Sequence, residues 1–330
     1  MTTISLSLLD RAARARHYLD PDDRKAIAGF LLKQRNPDGG FRGRSTESDL
    51  YYAPFALGCL LALGENLPVE EIQHYLASFG DGEGLDLVHL GCLLRCRRIL
   101  ATPNLARQTA LASRLGVLGH QAFARLVQSF RVHPLPGQEK IQTHLLTCRC
   151  PDGGYASNAQ AAERGEDSIY TSFIALLIGE DLGIAPENPD AIAHCVRKHR
   201  AADGGYGNRP GAAEGTTTVT SAAGVILQAF NRKPDPAAPN IQNWLHDRYH
   251  PSGGFYANPR APLPDLLSTA SALFALRLIG AEVEFARTGT LDFVEMLWAE
   301  SGGFCPHAAD ETPDCEYVWY ALLTLGCLAK

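Results

Sequence analysis

The chain has 330 residues, of which 45% are hydrophobic and 20% charged, and a net charge of −6. That balance is an ordinary globular one and leaves no basic footprint for nucleic acid. No apolar stretch approaches the roughly 20 residues that span a bilayer, and the start, MTTISLSLLDRAARARHYLD, lacks the basic end and long apolar run of a signal peptide.

The first predicted helix is Leu6–Tyr18, ended by Asp20-Pro21. Asp22–Arg35 follows, with Ile27, Phe30 and Leu31 on one apolar stripe opposite a charged face. Gly39-Gly40 then reverses the chain. The helix Asp49–Leu63 is different, because apolar residues lie nearly all round it, as expected of a helix buried on both sides. The alternation continues. Amphipathic segments are predicted at Val69–Phe79, Gln138–Arg149, Ala191–Arg200, Ile241–Tyr249 and Leu291–Glu300. All-round apolar segments are predicted at Asp86–Leu100, Asp167–Leu182, Thr217–Phe230, Asp265–Ile279 and Asp314–Cys327. Leu105–Val132 reads as two more helices without a Gly-Gly turn, and Lys233–Pro239 as a proline-rich turn. Several of the nine cysteines (Cys59, Cys92, Cys327) sit inside apolar helices, so reduced buried thiols and a cytoplasmic placement are expected.

One sentence of sequence recurs. SGGFYANPRAPLPDLLSTASALFALRLIG starts at Ser252, and its counterparts start at Pro37, Pro151, Ala202 and Ser301, the last four about 50 residues apart. A fixed period of this length marks one supersecondary unit stacked many times. An amphipathic helix that repeatedly covers an apolar one through short connections gives two concentric rings. The predicted fold is therefore all-α, an α/α toroid spanning 1–330 as a single domain, with six helix pairs, or seven if Leu105–Val132 forms one. An inner ring apolar on both faces surrounds either a cavity or its own packed side chains. Tyr51, Tyr170, Phe274, Tyr317 and Trp319 are the candidate lining residues, suited to a long apolar ligand.

These Gly-Gly-aromatic turns joining paired helices resemble the prenyltransferase and squalene-cyclase repeats, from Asp22 to the end. DGGYGNRPGAAEGTTTVTSAAG at Asp203 and the Ser252 stretch most resemble the β subunit of the Rab-type protein geranylgeranyltransferase. The resemblance implies a six-pair barrel, an apolar funnel for an isoprenoid, a basic patch for diphosphate, a catalytic zinc and a protein partner. The implied zinc ligands are an Asp-x-Cys step and a histidine. Here Asp265 stands at the first, Leu267 at the second, and the third falls near Tyr317. Leucine offers zinc no donor, so the standard zinc site reads as not encoded and the cofactor as unknown. The implied diphosphate-binding histidine falls near Gly215, which leaves Arg260, Arg209, Arg42 and Arg44 as the candidate basic residues.

The apolar helices open repeatedly with aspartate: Asp49, Asp86, Asp167, Asp265 and Asp314. Capping alone explains such a ring. The functional alternative is Pro313-Asp314-Cys315-Glu316, which resembles the acid step of class II cyclases; there a carboxyl group kept protonated by an apolar cavity starts carbocation chemistry. Cys305, His307 and Cys315 are candidates for a displaced metal site, at a spacing that matches no zinc pattern. His194 and His199 read as a solvated face, and His246 and His250 as a helix end. Three readings follow: a prenyltransferase-like protein with a rebuilt site, a class II terpene cyclase with Asp314 as general acid, and a non-catalytic toroid that binds a lipid or a partner protein.

Overall fold

The computed structural model describes residues 4–101, 135, 137–230 and 241–329. Its recurring unit is the Gly-Gly turn. Five times an antiparallel bridge closes the turn on the end of an outer helix: Arg35 with Phe41, Arg149 with Tyr155, Arg200 with Tyr206, Tyr249 with Phe255 and Trp298 with Phe304. The first glycine has a positive φ, as at Gly39 (91°) and Gly302 (90°). A Cβ at Gly39 would sit 2.0 Å from the Glu71 carbonyl oxygen, so only glycine permits this approach of the turn to the next outer helix.

Outer helices are α2 (Pro21–Lys33), α4 (Val69–Ala77), α6 (Gln138–Thr147), α9 (Pro189–Lys198), α11 (Ile241–His246) and α13 (Arg287–Met296). Inner helices are α3 (Ala53–Leu63), α5 (Leu87–Leu100), α8 (Ile169–Leu182), α10 (Thr217–Ala229), α12 (Leu266–Leu278) and α14 (Cys315–Leu328). Each inner helix packs on the next, and α14 closes the ring on α3. The outcome is an all-α toroid of six helix pairs among the described residues. The two helices expected in Leu105–Val132 and the turn at Lys233–Pro239 lie outside the described residues.

The inner helices start at a common end. The first-turn N–H groups of Leu87, Thr217 and Leu266 donate to Ser157, Ala257 and Pro306 in the following loop, at 2.8–2.9 Å. The opposite end is crossed by α1 (Ile4–Arg14), whose Arg11 carbonyl lies where a Cβ on Gly326 would be. Glu180, at the end of α8, accepts from the first N–H groups of α1, Ile4 and Ser5, both at 2.8 Å; a carboxylate there also complements the helix dipole. A two-residue ribbon pairs β1 (Phe255–Tyr256) with β2 (Pro264–Asp265), and a five-residue helix, α7 (Ala159–Glu163), fills one loop.

The aspartate ring is less uniform than the sequence suggests. Asp86, Asp265 and Asp314 cap their helices. Asp49 instead accepts from Tyr51 N–H in a turn before α3, and Ser168, not Asp167, caps α8. That leaves the Asp167 carboxylate for other partners.

Candidate functional site

The six inner helices and α1 enclose a central cavity of about 290 Å³. Tyr51, Tyr170, Phe274 and Trp319 line it, together with aliphatic residues such as Leu177 and Val225. Tyr170 is 41% exposed while lining the cavity, so the cavity reaches solvent at the end where the inner helices begin. Tyr317 does not line it; it packs on Tyr320 and lies 5.8 Å under the Arg44 guanidinium.

At the open end a carboxyl group faces two wall residues. Glu316 Oε1 accepts from the Tyr51 hydroxyl at 2.7 Å and from the Tyr320 hydroxyl at 2.9 Å. Both tyrosines line the cavity. Burial pushes the Glu316 carboxyl above its ordinary range; the tyrosine donors oppose this and neighbouring Asp314 adds to it. Asp314 is 1% exposed. Its Oδ1 accepts from the N–H groups of Glu316 and Tyr317 at 2.9 and 3.1 Å, and its Oδ2 lies 3.4 Å from Arg44. Burial raises its pKa too, against those donors and Arg44.

The floor is an ion pair. Arg95 Nε donates to Asp181 Oδ2 at 2.6 Å and its Nη2 to Ser5 Oγ at 2.6 Å. Two buried polar atoms in the lining residues, Asp181 Oδ1 and Ser221 Oγ, have no hydrogen-bond partner. Burial raises the Asp181 pKa, with Arg95 acting against it.

The four candidate arginines do not converge on the cavity. Arg260 pairs with Glu214 at 2.8 Å and Arg44 with Asp310 at 2.8 Å, while Arg42 donates to Gln34 at 3.2 Å. Arg209 is exposed on the turn after Gly207. The arginine of the cavity wall is Arg95, which sequence reasoning did not single out.

At the zinc position implied by resemblance, Asp265 is spent on capping α12: Ser268 N–H and Oγ both donate to it at 2.7 Å. Burial raises its pKa. Leu267 points into the cavity wall. Those residues do not fit a metal. The expectation of an unknown cofactor with the standard zinc site not encoded is nonetheless corrected, because a zinc-type donor set stands elsewhere in the chain. Asp167, Cys195 and His199 bring ligand atoms within 4.8 Å of one another, and Cys150, Asp152 and Asp167 form a second such group. Neither group contains Cys305, His307 or Cys315. His199 is fully buried, so it is no part of a solvated face, whereas His194 is exposed. All nine cysteines are free thiols.

The model of the prenyltransferase alpha-alpha toroid domain matches residues 2–89, 102–248 and 220–330. No curated protein sequence matches the chain. Among solved structures it is similar to the type II terpene cyclase MstE from Scytonema, at 17% identity, covering 97% of this chain and 98% of that one, with a TM-score of 0.53. It is also similar to the Candida albicans protein geranylgeranyltransferase-I complexed with GGPP, at 16% identity, covering 91% and 89%, with a TM-score of 0.61. At such identities the likeness shows the fold alone. The resemblance to the Rab-type β subunit is therefore corrected: the solved structures it matches are a type II cyclase and a type I transferase. The reason is physical. The Gly-Gly-aromatic motif that carried that resemblance is the turn shared by five of the six helix pairs, and it reports no chemistry. No helix among the described residues is long and apolar enough to cross a membrane.

Proposed function

The chain belongs to the prenyltransferase alpha-alpha toroid family, and we propose that within it the protein is a cyclase that protonates a polyprenyl chain inside its central cavity. One observation carries this reading: a carboxyl group with a raised pKa, Glu316, meets the aromatic cavity wall through Tyr51 and Tyr320. A carboxyl kept neutral by its surroundings can act as a general acid.

The step balances simply. The Glu316 proton adds to the terminal alkene of the bound chain, whose π pair forms the new C–H bond. Glu316 becomes a carboxylate and the chain a carbocation. Ring closure moves the charge inward, water takes a proton from the cyclised cation, and Glu316 is reprotonated from solvent at the open end. Tyr51, Tyr170, Phe274 and Trp319 line the cavity, and their rings supply π density that stabilises a cation. Asp314 acts here through Glu316, as a like charge that holds the proton on its neighbour. Asp265 sets the first turn of α12 and with it Leu267 in the wall.

A variant of the Scytonema cyclase has been seen with geranylgeranyl dihydroxybenzoate, its substrate. For this chain the corresponding ligand is a polyprenyl chain with a polar end that bonds Asp181 Oδ1 on the floor. Prenyl transfer from a diphosphate is the weaker reading, because the arginine of the wall is already paired with Asp181. The test is a titration with polyprenyl alcohols and geranylgeranyl diphosphate, with and without divalent metal, followed through Trp319 emission and by product analysis. Chelator-tolerant cyclic hydrocarbon supports the cyclase. Metal-dependent diphosphate release supports the transferase.

A further inference from the structure

The second glycine of each turn packs under one residue of a neighbouring outer helix. Gly40, Gly205, Gly254 and Gly303 lie against Tyr75, Trp244, Phe293 and Phe30, all large aromatics. In the remaining repeat the residue over Gly154 is Cys195, with its Sγ 2.5 Å from where a glycine Cβ would be. Two further positions of that repeat change with it. The residue before the cap is Gly215, Pro264 or Pro313 elsewhere, the matching residue before Asp49 is Ser48, and here it is Asp167; one turn beyond the packing residue stands His199. A packing position has thus been replaced, in a single repeat, by an Asp-Cys-His set.

The geometry is that of a ligand cluster. Cys195 and His199 lie four apart, so both face the turn from the C-terminal end of α9. Cys195 Sγ is 2.6 Å from Asp167 Oδ2, and His199 Nε2 is 3.4 Å from the same oxygen. His199 Nδ1 lies 2.9 Å from the Cys195 carbonyl oxygen, which only accepts, so Nδ1 carries the proton. In the neutral ring Nε2 is then a bare lone pair. It faces two more acceptors, the Asp167 carboxylate and the Asp167 carbonyl oxygen at 3.3 Å. The Cys195 thiol donates to Asp167 Oδ2, so the bare Nε2 and the Asp167 carbonyl oxygen are the acceptors left facing each other, and a proton on Nε2 or a metal between them satisfies both. A backbone carbonyl fixing Nδ1–H is also the usual arrangement behind a ligating histidine.

We infer that Asp167, Cys195 and His199 bind a zinc-class divalent cation, and that the ion clamps α9 to the Gly-Gly turn of the preceding repeat. Thiolate and imidazole donors favour zinc over magnesium or calcium. Binding displaces the Cys195 proton; thiolate and carboxylate then balance the divalent charge in a pocket where Cys195 and His199 are 2% and 0% exposed. Cys150 is grouped with Asp152 and Asp167 and not with Cys195 or His199, and Asp152 is paired with Lys198. None of these side chains lines the cavity, so the site is a structural one and stands apart from Asp265, where the resemblance would put a metal.

The experiment uses the full chain. Protein stripped with chelator is titrated with Zn²⁺ and, separately, Co²⁺, with metal content measured after gel filtration. The expected result is one metal per chain, a thiolate-to-cobalt charge-transfer band, and a higher melting temperature with metal than with chelator. Cys195→Ser should lose the band, and His199→Gln should weaken binding about 10–100-fold, while Cys305→Ser keeps both. Should Cys195→Ser fail to fold, peptide mapping of the unaltered protein across a urea series decides: zinc should shift alkylation of Cys195 to higher urea and leave Cys305 reactive. Absence of stoichiometric metal, a band unchanged in Cys195→Ser, or equal labelling with and without zinc overturns the site and leaves His199 as an imidazolium paired with Asp167.

Discussion

The Tyr51 hydroxyl donates to Glu316 Oε1 at 2.7 Å across the seam where the first inner helix meets the last. The two residues are 265 apart in sequence, so this bond exists only once the ring is closed. It also joins the cavity wall to the carboxyl group that this account makes the acid.

Removing the acid is the first prediction. Glu316→Gln keeps an oxygen for both tyrosines and loses the transferable proton. Turnover should fall by about 10²–10⁴-fold, the usual worth of a positioned general acid, with ligand affinity nearly unchanged. Asp314→Asn should lower turnover less, because Asp314 does not touch the chain. Steady-state kinetics beside a binding titration separate the two; equal losses in both variants would point to Asp314 as the acid.

The pH dependence follows from the same carboxyl. Its pKa lies above the ordinary glutamate value of roughly 4.3. Activity should be full while Glu316 is protonated and fall as pH rises through its folded-state value. Tyr51→Phe removes a donor that favours the anion, so the basic limb should move to higher pH. A limb displaced to lower pH would contradict the assignment.

Stability has a matching sign. A carboxyl with a raised folded pKa favours folding below its unfolded pKa, and that contribution is lost as pH rises through the folded value. Glu316→Gln cannot lose it. Relative to the unaltered protein, the variant should gain stability between mildly acidic and neutral pH, as read by urea denaturation across a pH series.

Ring closure is tested at Gly302. A Cβ there would lie 2.4 Å from the Ala26 carbonyl oxygen of the first outer helix, on a backbone with φ 90°. Gly302→Ala should destabilise by about 1–3 kcal/mol from backbone strain alone, before the clash is counted. Gly29→Ala, within α2 and with nothing within 4 Å of its Cβ, should instead stabilise by roughly 0.5–1 kcal/mol.

On the cavity floor, Arg95→Met leaves the Asp181 carboxylate buried without its partner, which costs about 3–5 kcal/mol. The double variant Arg95→Met/Asp181→Leu should recover most of that loss. Chemical denaturation of the set measures the recovery.

The helix order, the toroid and most of its aromatic lining were legible in the sequence, because glycine turns and an all-round apolar helix have local signatures. Tyr51, Tyr170, Phe274 and Trp319 project into the cavity as expected, whereas Tyr317 turns aside to stack near Arg44. The chemistry was less legible because it depends on which repeats meet. Glu316 lies two residues past the cap, and nothing local says that it will face Tyr51. Arg95 and Asp181 are 86 apart and meet only in the closed ring. Cys195 and His199 carried a readable signal, a donor pair four apart on one helix. The exposed His194 on the same helix disguises it as a solvated face.

The most direct test of protonation-initiated cyclisation is turnover of a polyprenyl substrate in D₂O with chelator present, read by mass spectrometry. The account predicts a cyclic product carrying one non-exchangeable deuterium, formed without diphosphate release and absent with Glu316→Gln. A product lacking deuterium, or one that appears only with metal and with release of diphosphate, would contradict it.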